Sequence, residues 1–287
     1  MGFVAAQDAQ FGDWLAPWLA AGHQAGMAWM ANHSAIRQQP AIIEPWGKAF
    51  ICIAFPYKTT PPPGWEHQNP LSRYAWGKDY HEVLKKILKP VIQGWQREFG
   101  PFQARVLVDS APLPEKLLAM RAGLGFLGRN SLLITPQQGS YVFLAEILVD
   151  LDLPTSAPYQ GPGCGNCRAC LEVCPGNAFA APGVVNANRC ISYLTIEKKG
   201  EFTDWEKKIP SFQIFGCDLC QECCPYNQKA PLQQNSPFAC LPRWQGLTPE
   251  QVLGWSEQDW ERLKQTSPLK RAGLAGLQRN AAVLGGS

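Results

Sequence analysis

The stretch Gly163-Cys-Gly-Asn-Cys-Arg-Ala-Cys-Leu-Glu-Val-Cys-Pro-Gly-Asn177 (GCGNCRACLEVCPGN) sets the frame for the whole chain. Its cysteines follow Cys164-x2-Cys167-x2-Cys170-x3-Cys174-Pro175, the run that bacterial ferredoxins use to hold cubane clusters. Three cysteines at this spacing wrap one cluster, and the fourth, before proline, reaches another. Some fifty residues on comes Gly216–Asn227 (GCDLCQECCPYN), a crowded relative of the first run. A zinc knuckle is the plainer alternative, but zinc favours two separated ligand pairs, often with histidine. No histidine follows His81.

Two cubanes need eight thiolates. The first run offers three to cluster I and Cys174 to cluster II, and Cys224-Pro225 of the second run completes cluster I. Cys217 and Cys220 serve cluster II, which lacks one more ligand. Spacing favours Cys223, because Cys217-x2-Cys220-x2-Cys223 copies the first run; the isolated Cys190 is the other choice. Adjacent Cys223 and Cys224 would then serve different clusters, so spacing leaves the choice open. All-cysteine cubanes usually carry electrons, so the reaction belongs elsewhere in the chain.

The remainder has the composition of packed protein. Hydrophobic residues make up 46% of the 287, enough for real cores and against disorder. A net charge of +3 does not by itself indicate a polyanionic partner. No apolar run is long enough to span a bilayer. The first basic residue is Arg37, so the start lacks the positive end of a signal peptide. A cytoplasmic protein is expected, with reduced thiols free to bind metal.

Residues 1–155 contain one cysteine, Cys52. Phe50–Phe55 and Ala104–Val108 read as buried strands, as do Asn130–Thr135 and Tyr141–Val149, joined by a turn at Gln137–Ser140. Glu82–Trp95 reads as a helix with Val83, Leu84, Ile87, Leu88, Val91 and Ile92 on one face. This mixture makes an α/β or α+β domain. Leu153–Gly163 is a Pro/Gly/Ser connector into a cysteine-rich domain over 156–240. Residues 241–287 are helical, with starts at Thr248-Pro249, Ser256-x-x-Asp259 and Ser267-Pro268 and an apolar stripe of Leu269, Leu274 and Leu277.

Gly123-x-Gly125-x-x-Gly128 imitates a dinucleotide fingerprint, but a helix (114–122) precedes it and a strand follows. The fingerprint needs the reverse order, so no Rossmann site is read; such a turn can still approach a ligand closely. Asp109 ends the strand ARVLVD ahead of Ser110-Ala-Pro112. Pattern alone favours a helix cap there; the functional alternative is a strand-end carboxyl at an active site.

Several segments together resemble the epoxyqueuosine reductase family: RYAWGKDYHEVLKK (73–86), VDSAPLPEKLLAMRAGLGFLGRNSLLI (108–134), the CxxCxxCxxxCP run, CISYLTIE (190–197) and CDLCQECCPYN (217–227). The resemblance runs from about Trp14 to Asn280. It implies an α+β protein with an N-terminal α/β cobalamin-binding domain, a ferredoxin-like domain with two [4Fe-4S] clusters and a C-terminal segment like the start of a HEAT-like repeat. It also implies reduction of epoxyqueuosine to queuosine at the wobble base of tRNA, with electrons from an external low-potential donor and a monomeric enzyme. The general acid falls on Asp109. Cluster I takes Cys164, Cys167, Cys170 and Cys224; cluster II takes Cys174, Cys190, Cys217 and Cys220, which leaves Cys223 free. Arg37, Arg73, Tyr74, Asn130 and Ser192, with Asp109, become cobalamin-contact candidates.

Epoxide opening needs an acid that keeps its proton near neutral pH, which burial would favour. Asp79-Tyr80-His81 lacks the glycine of the DxHxxG cobalamin motif, so His81 is read as structural and no protein histidine is expected on cobalt. The pairs Lys198–Lys199 and Lys207–Lys208 become candidates for phosphate contact in this setting; Lys270–Arg271 reads as ordinary surface. Two other readings stand beside this one: a corrinoid reductive dehalogenase, whose relatives usually carry a twin-arginine leader not seen here, and a simple two-cluster electron carrier.

Overall fold

A computed structural model describes residues 1–65, 69–209, 213–234 and 236–285. Four antiparallel strands form the central sheet in the order β1 (Gly2–Ala5), β2 (Ala49–Pro56), β4 (Val142–Val149), β3 (Ala104–Leu107). The inner strands are nearly all apolar because the sheet is covered on both faces. One face packs against helix α1 (Tyr80–Phe99), where Leu84, Leu88 and Ile92 meet Ile51, Ala145 and Ile147. The other face takes Leu118 and Ala122 at and just beyond helix α2 (Glu115–Arg121), against Phe50, Cys52 and Leu148.

The strand at 130–135 is mostly absent. Only Leu133–Ile134 is extended, and it pairs with Phe126–Leu127 instead of entering the sheet. Helix α1 is longer than expected, and its buried face is narrower: Ile87 and Val91 are exposed, because the helix meets one flat sheet. It passes through Pro90 and is capped by the Asp79 side chain, which accepts from the His81 N–H.

The glycine turn serves packing. A Cβ at Gly123 would fall 2.3 Å from the Ala157 carbonyl oxygen, and one at Gly125 would fall 2.1 Å from that of Ile134. The close approach is therefore to the protein's own backbone, not to a ligand.

The connector after β4 has no regular structure, but it is anchored. Ser156 N donates to the Phe3 carbonyl, its Oγ accepts from Phe3 N at 2.8 Å, and Thr155 Oγ1 accepts from Ala5 N at 3.0 Å. Short helices follow: α3 (Ala169–Glu172), α4 (Ile191–Ile196), α5 (Leu219–Glu222) and α6 (Pro225–Lys229).

The C-terminal helices α7 (Pro249–Leu253), α8 (Glu257–Leu263) and α9 (Gly273–Gly285) begin much as the sequence suggests. Thr248 and Ser256 form capping boxes, whereas Ser267 caps a short 3₁₀ turn, Pro268–Arg271. Leu269, Leu274 and Leu277 are buried with Trp76 and Phe215, so this segment shares a core with both parts of the chain before it. Among the described residues, no helix is long and apolar enough to cross a membrane.

Candidate functional site

The cysteines gather into two groups. Cys164, Cys167, Cys170 and Cys224 line a cavity of about 200 Å³ together with Asn130, Ile134 and Tyr226. Burial raises the Cys170 thiol, and the adjoining Cys164, Cys167 and Cys224 raise it further. In the second group, burial lifts Cys220 well above its ordinary range, with added pressure from Cys217, Cys190 and Cys174. Crowded, buried thiols of this kind are unfavourable as free thiolates and become favourable once metal neutralises them. Four neighbouring sulfurs suit a polynuclear cluster, so the donor chemistry of both groups fits one.

Local backbone orients these sulfurs. Cys190 is the N-cap of α4, and its side chain makes no cap hydrogen bond there. Ala178 N donates to Cys174 Sγ at 3.3 Å. Such hydrogen bonds tune cluster potential. Cys223 is pushed up to about 11 by burial and by neighbouring Cys170 and Cys224, yet it does not line the chamber. Its thiol donates to the Cys220 carbonyl at 3.7 Å.

Several buried polar links join the cysteine region to the sheet domain. Ser72 Oγ donates to Asp218 at 2.6 Å, Asp218 also accepts from Arg73 N, and Asn227 Oδ1 accepts from Ser140 N. Asn130 donates to the Cys220 carbonyl at 3.4 Å and walls the first chamber.

Asp109 lies beyond β3, in a turn rather than at a helix cap. The N-cap of α2 is Pro114, and Asp109 has a left-handed backbone, φ 52°. That conformation is uncommon for a residue with a side chain, although Asp tolerates it better than most. Its carboxylate accepts from Tyr80 Oη at 2.7 Å and lies 3.1 Å from His81 Nε2. Nδ1 of His81 lies 2.7 Å from the buried Asp79, whose other oxygen is 2.6 Å from Lys270 Nζ. Arg271, next in sequence, makes a two-pronged pair with Glu197 and also bears on Asp109.

This array changes where the proton sits. Partial desolvation raises the Asp109 carboxyl, but its side chain is 56% exposed, and hydrogen bonds from His81 and Tyr80 outweigh the effect and hold Asp109 below its usual value. For His81, burial is likewise outweighed by Asp109 and Asp79, and its value rises to about 9. At neutral pH the proton therefore belongs to a His81 imidazolium against an Asp109 carboxylate, not to a neutral Asp109 acid. Sequence reasoning set His81 aside as structural; the overlooked signal was Asp-Tyr-His at the entrance of an amphipathic helix.

Other expected contacts divide. Arg73 faces inward: Nε meets Glu222 at 2.6 Å, Nη1 donates to the Thr59 carbonyl, and the guanidinium stacks over Trp76 and Tyr141. Nε and Nη1 thus act as an internal clamp rather than as the expected cofactor contacts. Tyr74 packs beside Tyr80 and Phe215, and burial and then the Asp109 charge raise its hydroxyl. Arg37 is buried with Nε unpartnered, as are His23 Nδ1 and Gln24 Oε1 of the same N-terminal segment. That segment is tied to the Ser192 region, since Tyr193 Oη accepts from Gly26 N at 2.9 Å. Buried donors and acceptors without partners suit the amide-rich rim and phosphate of a corrinoid, so these residues fit such a group. Both ring nitrogens of His81 are already engaged. Lys198 pairs with Glu206 at 3.2 Å, and Lys199 reaches the Arg271 carbonyl.

These features define an iron–sulfur protein with two cysteine clusters beside an aspartate–histidine site. Comparison with known proteins narrows this. Residues 163–227 match the 4Fe-4S double cluster binding domain, and residues 37–110 match the family described as epoxyqueuosine reductase QueG, DUF1730. The epoxyqueuosine reductase of Pseudomonas aeruginosa is 38% identical over 276 residues, covering 93% of this chain and 75% of the relative. That of Gloeobacter violaceus is 38% identical over 293 residues, covering 98% and 89%. An epoxyqueuosine reductase solved with an epoxyqueuosine-modified tRNA-Tyr stem loop superposes with a TM-score of 0.87 at 29% identity, over 99% of this chain and 76% of the other. The Bacillus subtilis enzyme, with its catalytic aspartate loop swung out of the active site, gives 0.86 at 28% identity, with the same coverage. The chain belongs to the epoxyqueuosine reductase family.

Proposed function

We propose that this protein reduces epoxyqueuosine to queuosine in tRNA, at the wobble position, as the last step in making that base. The observation that carries the reading is the combination of two cysteine groups, one of them lining a cavity, with an Asp79–His81–Asp109 array, in a chain of this family. Cys164, Cys167, Cys170 and Cys224 hold cluster I; Cys174, Cys190, Cys217 and Cys220 hold cluster II. Cobalamin is the second cofactor, contacted by Arg37, Tyr74, Asp109, Asn130 and Ser192. When bound, the clusters and cobalamin supply the two electrons.

The protein's own groups supply the proton chemistry. Opening the epoxide puts negative charge on its oxygen. His81, oriented by Asp79, carries the proton, and Asp109 receives it and presents it to that oxygen. Tyr80 holds the Asp109 carboxylate in place. Residues 1–155, 156–240 and 241–287 act as cofactor-binding, electron-carrying and helical supporting domains. The HEAT-like character assigned to the last of these rests on its paired helices.

Anaerobic incubation with cobalamin, a low-potential reductant and epoxyqueuosine-containing tRNA, followed by nucleoside analysis, tests the reading. Queuosine should appear, and only when cobalamin is present. Formation without cobalamin would overturn the cofactor assignment. Unchanged epoxyqueuosine, with both clusters loaded, would overturn the function. The dehalogenase alternative predicts no gel shift with tRNA, and the electron-carrier alternative predicts no spectral change on adding cob(II)alamin.

A further inference from the structure

Behind the Asp109 turn lies a pair of carboxyls that the chemistry above does not use. Glu146 sits in the middle of β4, opposite Cys52 of β2 and Leu107 of β3. It is fully buried, and neither of its oxygens meets a hydrogen-bond donor or other hydrogen-bond partner among the described residues. Glu115 opens α2, and its Oε1 accepts the backbone N–H of Asp109, helping to hold the left-handed turn. The titratable and charged groups bearing on the pair are Asp109, His81, Tyr80, Cys52 and Lys116. Cys52 also feels the amino terminus, and Lys116 donates to the Ser131 carbonyl at 2.7 Å.

An ionised carboxylate buried without a cation is too costly to persist; it protonates instead. A second carboxyl beside it, here the half-buried Glu115, disfavours ionisation of both at once. Burial and the Asp109 charge push Glu115 up to about 8, and burial and Glu115 push Glu146 well above the ordinary range.

We propose that Glu115 and Glu146 hold one proton between them and serve Asp109 as positioning residues: Glu115 fixes the turn, and the pair is the reserve from which the acid site regains a proton. This rests on the reductase reading. The reaction breaks two C–O bonds of the epoxide, forms one C=C bond and releases the oxygen as water. It consumes two electrons from the external reductant and two protons. The His81–Asp109 array holds one proton, and the carboxyl pair holds the other.

Two measurements test this on the cluster-loaded enzyme. The first is infrared difference spectroscopy across pH without substrate. A protonated-carboxyl band should be present at neutral pH, weaken as pH rises into the alkaline range, and be missing in Glu146→Gln. The second is the pH profile of single-turnover reduction. Wild type should show a falling limb over the same range in which that band is lost. In Glu146→Gln, whose amide can still donate to Glu115, the neutral-pH rate should drop about tenfold or more and the part of the limb that follows the carboxyl band should be lost, leaving only the limb near 9 that His81 sets, with iron content unchanged. Glu115→Gln gives a second variant that keeps an acceptor for the Asp109 N–H, and it should show the same loss. A wild-type enzyme with no titrating carboxyl band overturns the proposal, as does Glu146→Gln with wild-type rate and limb. If wild type fails to make queuosine at all, the reductase reading falls, and the infrared result alone decides whether the pair holds its proton.

Discussion

The sulfur side and the acid side of this protein are built by opposite means. The sulfur side is local: tight turns and four-residue helices present cysteines a few positions apart, and nearby N–H groups steady them. The acid side is assembled from far apart: Asp79 and His81 from the start of α1, Asp109 from the end of β3, Glu115 from α2, Glu146 from mid-β4 and Lys270 from the C-terminal segment. A locally built site should fail through its ligands and little else. A dispersed site should respond to each member in graded fashion.

Ligand loss gives the largest effect. Cys190→Ser should lose one four-iron cluster, whereas Cys223→Ser should keep about eight irons per chain; iron and sulfide analysis after anaerobic reconstitution separates them. The reverse result would return Cys223 to the ligand set. Next comes the acid. Asp109→Asn should retain both clusters and lose turnover by roughly 10²–10⁴-fold, measured by single-turnover nucleoside analysis.

His81→Gln should cost less, about tenfold, and should also change the pH dependence of stability. The folded value of His81 lies near 9, above its ordinary 6.5. Its pairing therefore contributes stability in full below about 6.5 and loses it as pH rises through about 9. Thermal midpoints of wild type and His81→Gln should converge across that window; parallel curves would show that His81 is not held protonated.

Arg73→Ala tests the seam between the two sides. Leaving Glu222 and the Thr59 carbonyl without their donor should destabilise by roughly 1–3 kcal/mol, read by denaturant unfolding, with cofactor affinity unchanged. An unchanged stability with weakened cobalamin binding would restore the cofactor role. Smallest is the lysine effect: replacing Lys198, Lys199, Lys207 and Lys208 should weaken tRNA binding modestly and flatten its salt dependence. An unchanged salt slope would mark them as ordinary surface.

The difference in construction also explains what was legible beforehand. The first cysteine run is a short-range pattern, so spacing alone revealed it. Cys190 was not legible that way, since it joins its group from the cap of a separate helix. His81 and Asp109 meet only because α1 and β3 lie side by side on the same sheet, and no linear pattern records that. Glu146 left a faint trace, a single charge inside the apolar strand VFLAEILV. The face of α1 was read too wide because periodicity gives the direction of a helix face but not its width, leaving Ile87 and Val91 in solvent.

The anchored connector has a consequence for solubility. β1 is an outer strand, and an outer strand with bare N–H and C=O groups can recruit another chain. Thr155 and Ser156 occupy those groups at Phe3 and Ala5. The segment that joins the two sides thus also acts as a guard against edge-to-edge aggregation, and a protease cut within Leu153–Gly163 would free a sticky strand as well as sever a link.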